Sequence, residues 1–245
     1  MVFVGVNGAP DTQWTTIPFV TNVDTTPVIR EKPYLTFSGS HYSVQVPRLS
    51  SRPRSGHSWS AGTSSSSTIP IDRFFIAHAG ALDATADSLN VKLDQGYHLI
   101  LTPGVYHLDK SLIVKHENTV VLGLGMATLI PDYGTPALTI LDVDGVSVSG
   151  LIFDAGPQQS PSLLIVGDSI VGGGADHKAN PTALFDCSAR VGPGKRAASN
   201  CFTINSNDVI LDNIWLWRAD HGRLGTHDPS VIGWDVNPAQ NGLTV

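Results

Sequence analysis

A right-handed parallel β-helix is the fold this sequence predicts, and three observations carry it. A phrase repeats: Asp144-Gly-Val-Ser-Val-Ser-Gly-Leu-Ile-Phe153 returns as Asn207-Asp-Val-Ile-Leu-Asp-Asn-Ile-Trp-Leu216, and its opening returns as Asn241-Gly-Leu-Thr-Val245. In register, Val146 matches Val209 and then Leu243, at steps of 63 and 34 residues. Asn118-Thr-Val-Val-Leu122 puts Val120 another 26 residues upstream of Val146. Steps of roughly 26 to 34 residues, with 63 read as two, describe short strands stacked turn upon turn. Within the phrase, alternation points Val146, Val148, Leu151 and Phe153 inward, with a polar or Gly pair between two short strands. Composition agrees: 24 Gly, 16 Pro and only 15% charged residues suit a chain of strands and turns.

Taken in order, residues 1–10 read as the end of a preceding strand layer. Residues 11–70 read as a connector, punctuated by Pro18, Pro27, Pro33, Pro47 and Pro53 and low in complexity from Ser50 to Ser67. Two short strands, Tyr34–Phe37 and His41–Val46, fit inside it. The β-helix spans 71–245. Its one helix falls between Leu82 and Gly96, with Leu82, Ala86, Leu89 and Leu93 on one face. Asp83 or Thr85 is the N-cap and Gly96 the stop. A helix here is placed to plug the open end of the core. Val2-Phe-Val-Gly-Val6 starts as a strand without lead-in, and Leu243-Thr-Val245 is a strand cut off mid-phrase. Solenoids shield their terminal strands, so the sequence reads as an internal piece of a larger protein, one that self-associates through exposed solenoid ends.

Several partners are excluded. Net charge is −6, without a basic stripe, so nucleic acid is not expected. No run of about 18 apolar residues exists to span a membrane. No HxH, HExxH or CxxC pattern points to a metal centre, and no cofactor is implied. Neither Gly123-Leu-Gly125 nor Gly172–Gly174 has the strand-turn-helix setting of a phosphate loop. Cys187 and Cys201 either close a loop as a disulfide or remain two buried thiols.

Leu101-Thr-Pro-Gly-Val-Tyr106, followed by Val120-Val-Leu-Gly-Leu-Gly125, resembles the opening strands of pectate-lyase-like β-helix proteins. Asn213-Ile-Trp-Leu-Trp-Arg-Ala-Asp-His221 is similar to a Trp-rich strand of the family 55 glycoside hydrolases, exo-acting β-1,3-glucanases with two β-helices in one chain. Ile29-Arg-Glu-Lys-Pro33 and the Ser-rich connector resemble secreted proteins of the same superfamily. The resemblance implies a secreted protein whose partner is a polysaccharide or oligosaccharide. It also implies inverting hydrolysis with a Glu as general acid. The chain has only Glu31 and Glu117, neither in a matching motif, so the acid is expected beyond Val245.

Trp215 and Trp217 lie two apart on one strand. With Ile214 and Leu216 inward, both indoles face outward, and register sets Asp154 on that same face. Indoles beside a carboxylate suit a sugar, stacked on the ring and bonded at its hydroxyls; alternatively a loop covers them as core. Asp220 and His221 either position a water or hydroxyl for catalysis, with Asp154 as the second carboxylate, or cap a turn. Asp176 and His177 form either a substrate-binding loop or a solvated turn. Asp142 and Asp144 fit a calcium site of the kind pectate-lyase relatives use, or a turn. The function expected is hydrolysis of a β-glucan-like polymer by two carboxylates. The alternatives are a non-catalytic carbohydrate-binding or structural β-helix, and a polysaccharide lyase, against which the lack of an outward Arg/Lys cluster counts.

Overall fold

The computed structural model describes residues 1–56, 66–167, 174–192, 196–219 and 239–245. They form two compact units, Met1–Pro70 and Ile71–Val245. In the first, β1 (Val2–Val4) pairs in parallel with β2 (Thr21–Val23). A separate antiparallel sheet contains β3 (Tyr34–Ser38), β4 (His41–Pro47) and β5 (Ser66–Pro70). The strands β3 and β4 fall where alternation put them. The third, β5, emerges from the Ser-rich stretch, which carries no apolar period. Its Ser66 and Thr68 hydroxyls instead donate to Gln45 Oε1, each at 2.9 Å.

The second unit runs β6 (Phe74–Ala77), α1 (Ala86–Asp94), β7 (His98–Leu101), β8 (Val105–Leu108), β9 (Leu112–Val114), β10 (Val120–Pro131), β11 (Leu138–Ile140), β12 (Ser147–Asp154), β13 (Ser160–Val166), β14 (Ala183–Phe185), β15 (Ser188–Val191), β16 (Ala198–Ile204), β17 (Ile210–Asp212), β18 (Trp215–Arg218) and β19 (Asn241–Thr244). It is mainly β, and every strand pairing in it is parallel. One sheet orders β6-β7-β10-β12-β14-β17, with β8, β15 and β18 joined through the second halves of β10 and β12; the other orders β9-β11-β13-β16-β19. From β9 onward the chain alternates between them.

Period-two alternation sends three columns of side chains inward. They are Val121–Val148–Leu184, Leu129–Phe153–Ala189 and Leu112–Leu138–Leu164–Phe202, with Leu211 and Leu216 partly buried at the ends of the first two. Phe153 meets Phe202 edge-on, centroids 5.4 Å apart, joining the two sheets. Each such fully buried side chain contributes about 1.5–3 kcal/mol. Val146, Val148, Leu151 and Phe153 are all buried, as the alternation required.

The register explains the repeated phrase and corrects two readings of it. Ser147 pairs with Ala183 and Ala183 with Ile210, so Val146 and Val209 are two strand layers apart. Between them lies Pro181-Thr-Ala183, which shares none of the phrase. Val120, however, pairs with Ser147, one residue off the expected match with Val146. The corner just before these strands takes positive φ at Asn118 (58°), Gly145 (73°) and Asp208 (56°). Asn118 therefore aligns with the second residue of the phrase, not its first. Leu243 is corrected more fully: it pairs with Phe202 in the other sheet, and Asn241-Gly242 are the first residues of β19 itself rather than a left-handed corner before it.

Of the two N-cap candidates the second is used. Thr85 is the N-cap, its hydroxyl accepting from the Ser88 N–H at 3.2 Å, while Leu82 lies before the helix and is exposed. Ala86, Leu89 and Leu93 enter the core. Asn90 on α1 satisfies the edge strand β9: its amide donates to Ser111 O (2.9 Å) and its Oδ1 accepts from Ile113 N–H (2.8 Å). A helix thus covers an edge that would otherwise offer unpaired backbone groups. None of the described helices is long and apolar enough to cross a membrane.

Candidate functional site

A concavity lies on the outer face of the sheet where β10, β12, β15 and β18 stack. Thr128, Ile152, Ser188 and Trp215 form one outward column, and Asp154, Arg190 and Trp217 the next. Upstream, three extra residues, Leu124-Gly125-Met126, bulge from β10 between Leu122 and Ala127. The bulge lifts Met126 outward at φ 63°, where it is 70% exposed and faces the groove as one wall. Trp215, 69% exposed, stands in the other. The groove encloses about 520 Å³ between Met126, Ile152, Arg190, Trp215 and Trp217. It continues into a second cavity of about 300 Å³ over Gly123, Gly150, Asp186 and Asn213. Both volumes fall in the range of small-molecule sites.

The second cavity owes its shape to a stacked corner. Gly150 (φ 70°), Asp186 (φ 48°) and Asn213 (φ 53°) succeed one another in register. A Cβ on Gly150 would lie 2.6 Å from Gly123 O, so only glycine lets the two backbones approach there. Below it, Asn213 Nδ2 donates to Asp186 Oδ1 at 2.6 Å, fixing the carboxylate at the cavity's edge. Met126, Asp186 and Asn213 escaped the sequence reading. For Asn213 the available signal was the repeated phrase, in which it falls on Gly150; Asp186 reaches that corner only through the strand register.

Trp215 and Trp217 occupy the outward register expected, with Leu216 packed on the core between them. Asp154 occupies its register too, yet it does not open to the groove. Its side chain is 1% exposed and ion-paired with both Arg190 and Arg196. Arg190 Nε donates to Oδ1 at 3.1 Å, while Arg190 Nη2 and Arg196 Nη1 converge on Oδ2. Both oxygens are therefore taken. As a sugar-hydroxyl acceptor or catalytic carboxylate, Asp154 is out of reach. It is a buried anchor that aims Arg190 into the groove.

His177 is likewise corrected. It is 4% exposed, with Nδ1 on Asp144 Oδ1 at 2.5 Å and Nε2 on Asp142 Oδ1 at 3.0 Å. The Asp144 contact chiefly, with Asp142 adding to it, raises the imidazole pKa against the opposing effect of burial. The Ser206 hydroxyl first, and the Ala175 N–H after it, hold Asp142 below the usual carboxylate range. This trio clips residues 174–177 to the corner of the sheet and leaves no ring nitrogen for a substrate. Asp142 and Asp144 are spent on an imidazole, not set around a cation. Asp176 only accepts from Lys178 N–H at 3.0 Å, a local turn. Among the described residues, no group of three or more His, Cys, Asp or Glu side chains is placed to hold a metal ion. Cys187 and Cys201 are free, buried thiols. Asp220 and His221 lie outside the described residues.

Chemically, the groove offers an exposed indole, a thioether, a carboxylate held at a corner and a guanidinium. That set can stack the apolar face of a pyranose ring and bond its hydroxyls. Comparison with known proteins points the same way. Residues 74–245 match the family model described as the LAM55 pectate lyase-like domain. The whole chain is 46% identical over 248 aligned positions to an exo-beta-1,3-glucanase of Streptomyces sp. (strain SirexAA-E / ActE), of which it spans 38%. Among solved structures, sacteLam55A from Streptomyces sp. SirexAA-E superposes with a TM-score of 0.87 at 45% identity, over 99% of this chain and 42% of that one. A variant of sacteLam55A in complex with glucose superposes with a TM-score of 0.86. The chain spans less than half the length of these relatives.

Proposed function

Because this chain belongs to the LAM55 pectate lyase-like family, we propose that it supplies a β-glucan-binding surface to a secreted glycoside hydrolase acting on β-1,3-glucan. The two parallel sheets are read as faces of a right-handed parallel β-helix. The chain's alternation between them and the all-parallel stacking of successive layers, at register steps of 22 to 41 residues, support this. The observation that carries the function is the groove itself: Trp215 stands 69% exposed above a concavity shared with Met126, Ile152 and Arg190. Trp215 and Met126 are both exposed on this face, and a sugar ring is a partner that uses both the indole and the polar rim.

Inverting hydrolysis needs two carboxylates roughly 6.5–9.5 Å apart. Among the described residues lining the groove and its extension, Asp186 is the only carboxylate. This favours binding as the contribution of the described part. Asp220, which follows β18 in sequence, is kept as the candidate that activates water. A lyase would need several cations to offset a uronate; here Arg190 and Arg196 share the single Asp154 carboxylate, which leaves one net positive charge beside the groove. Calorimetric titration with a β-1,3-linked glucose oligosaccharide tests the proposal. Trp215→Ala should weaken binding at least tenfold while the circular dichroism is retained; equal affinity in wild type and variant would refute it.

A further inference from the structure

Met126 stands in water on a backbone that is fixed on both sides. Leu124-Gly125-Met126 bulge from β10, and Gly125, at φ 58°, packs so closely on Pro103 that a Cβ there would lie 2.7 Å from the Pro103 Cγ. Beyond the bulge, the Thr128 hydroxyl donates to Met126 O at 3.1 Å. Ala127 takes the inward place and is buried in the core. The Met126 side chain is thus left pointing outward at φ 63°, a conformation that residues other than glycine adopt only under strain. It is exposed and lines both cavities of the groove. The chain has one other methionine, Met1, exposed at its start, and both cysteines are buried.

Resting on the groove's reading as a glucan surface, we infer that Met126 is an oxidation site and that its sulfoxide weakens binding in the groove. The reactant is a peroxide. A sulfur lone pair attacks one peroxide oxygen, and the S–O bond forms as the O–O bond breaks. The sulfur loses two electrons, hydrogen peroxide is reduced, and the proton of the transferred oxygen leaves with the departing hydroxide as water. The buried thiols stay out of this chemistry, because they are neither exposed nor ionised. The effect on binding follows from polarity. A thioether is a polarizable, apolar wall, whereas a sulfoxide is polar and chiral. Because Met126 borders both cavities, one added oxygen alters both. The pinned bulge keeps the modified residue at the groove. Reduction of the sulfoxide restores the thioether, so the change is reversible.

The test treats the whole chain with hydrogen peroxide and maps the oxidised residues by peptide mass spectrometry. Met126 should gain one oxygen as readily as Met1, with both cysteines unmodified. Calorimetric titration with a β-1,3-linked glucose oligosaccharide should then show binding weakened roughly tenfold, and a methionine sulfoxide reductase should restore it. Met126→Leu is the control: whatever its own starting affinity, peroxide should not change it. A Met126 side chain that stays unoxidised while Met1 reacts overturns the inference. So does a Met126→Leu variant that loses as much affinity on treatment as the wild type, since the sensitive group is then another. If Met126 is oxidised and affinity is unchanged while Trp215→Ala still weakens binding, the inference falls and the groove's reading stands. Untreated protein that binds no oligosaccharide removes the groove's reading, and this inference with it.

Discussion

Replacing Asp154 by Asn separates the two roles that the sequence and the structure give it. The carboxylate is buried and receives three hydrogen bonds from two guanidiniums. Asn keeps the shape but removes the charge and turns one acceptor into a donor facing a cation. Breaking a buried ion pair from one side costs about 3–5 kcal/mol. Here the Arg190 and Arg196 side chains are 42% and 33% exposed and can turn to water when released. The lower end, about 3 kcal/mol, is therefore expected. Urea unfolding with an unchanged slope measures it, and glucan titration on the same samples measures the other role. Binding should fall only as far as Arg190 loses its aim. Stability within about 0.5 kcal/mol of wild type, combined with abolished sugar binding, would refute the anchor and restore Asp154 as a ligand-facing carboxylate.

Other expectations concern pH, backbone and thiols. His98 accepts from Val120 N–H at 3.1 Å, and burial, reinforced by Arg73, lowers its pKa from 6.5 to about 4. A depressed histidine favours the neutral folded form, so its stabilisation is complete above pH 6.5 and lost as pH falls toward 4. The loss is on the order of 3 kcal/mol, and His98→Gln should flatten that part of the pH profile. His177, with a raised pKa, acts oppositely: its clip to Asp142 and Asp144 is intact below its unfolded pKa and weakens as pH rises through the folded one, which histidine NMR titration would follow. Gly145→Ala would set a Cβ 2.2 Å from Asn180 Nδ2 and 2.4 Å from Asn118 Oδ1, at a φ of +73°. It should sever the 2.8 Å Asn180–Asn118 hydrogen bond and destabilise by about 2 kcal/mol or more in chemical unfolding. Burial pushes Cys187 up to about 12 and Cys201 to about 11, so native protein should resist thiol labelling and unfolded protein take up two equivalents.

The parts of the fold legible in the sequence were those with an apolar period or a repeated phrase. Val146, Val148, Leu151 and Phe153 alternate cleanly, and Leu89 and Leu93 recur at helical spacing. What could not be read was set by contacts without a period. The polar strand β5 is held through Gln45, and the β14 layer, Ala183–Phe185, opens with Asn180-Pro181 where its neighbours have Asp144-Gly145 and Asn207-Asp208. The one-residue slip at Val120 came from not knowing that Asn118, rather than Thr119, takes the left-handed corner.

The site divides in the same way. The outward register of Trp215 and Trp217 follows from Leu216 facing inward, which a two-residue period gives directly. Burial of Asp154 does not follow, because it depends on Arg190 one strand layer away and Arg196 six residues further on. Nor does the His177 clip, which joins residues 33 to 35 apart. Asp186 looked like any loop acid until its corner was stacked on Gly150 and Asn213.

The central claim is that the Trp215 groove holds a β-glucan chain. Its most direct test is a crystal structure of the protein soaked with a β-1,3-linked glucose oligosaccharide. The expected result is a pyranose ring stacked on Trp215 against Met126. Ordered sugar bound elsewhere, with the groove between Met126 and Trp215 empty at saturating ligand, would contradict it.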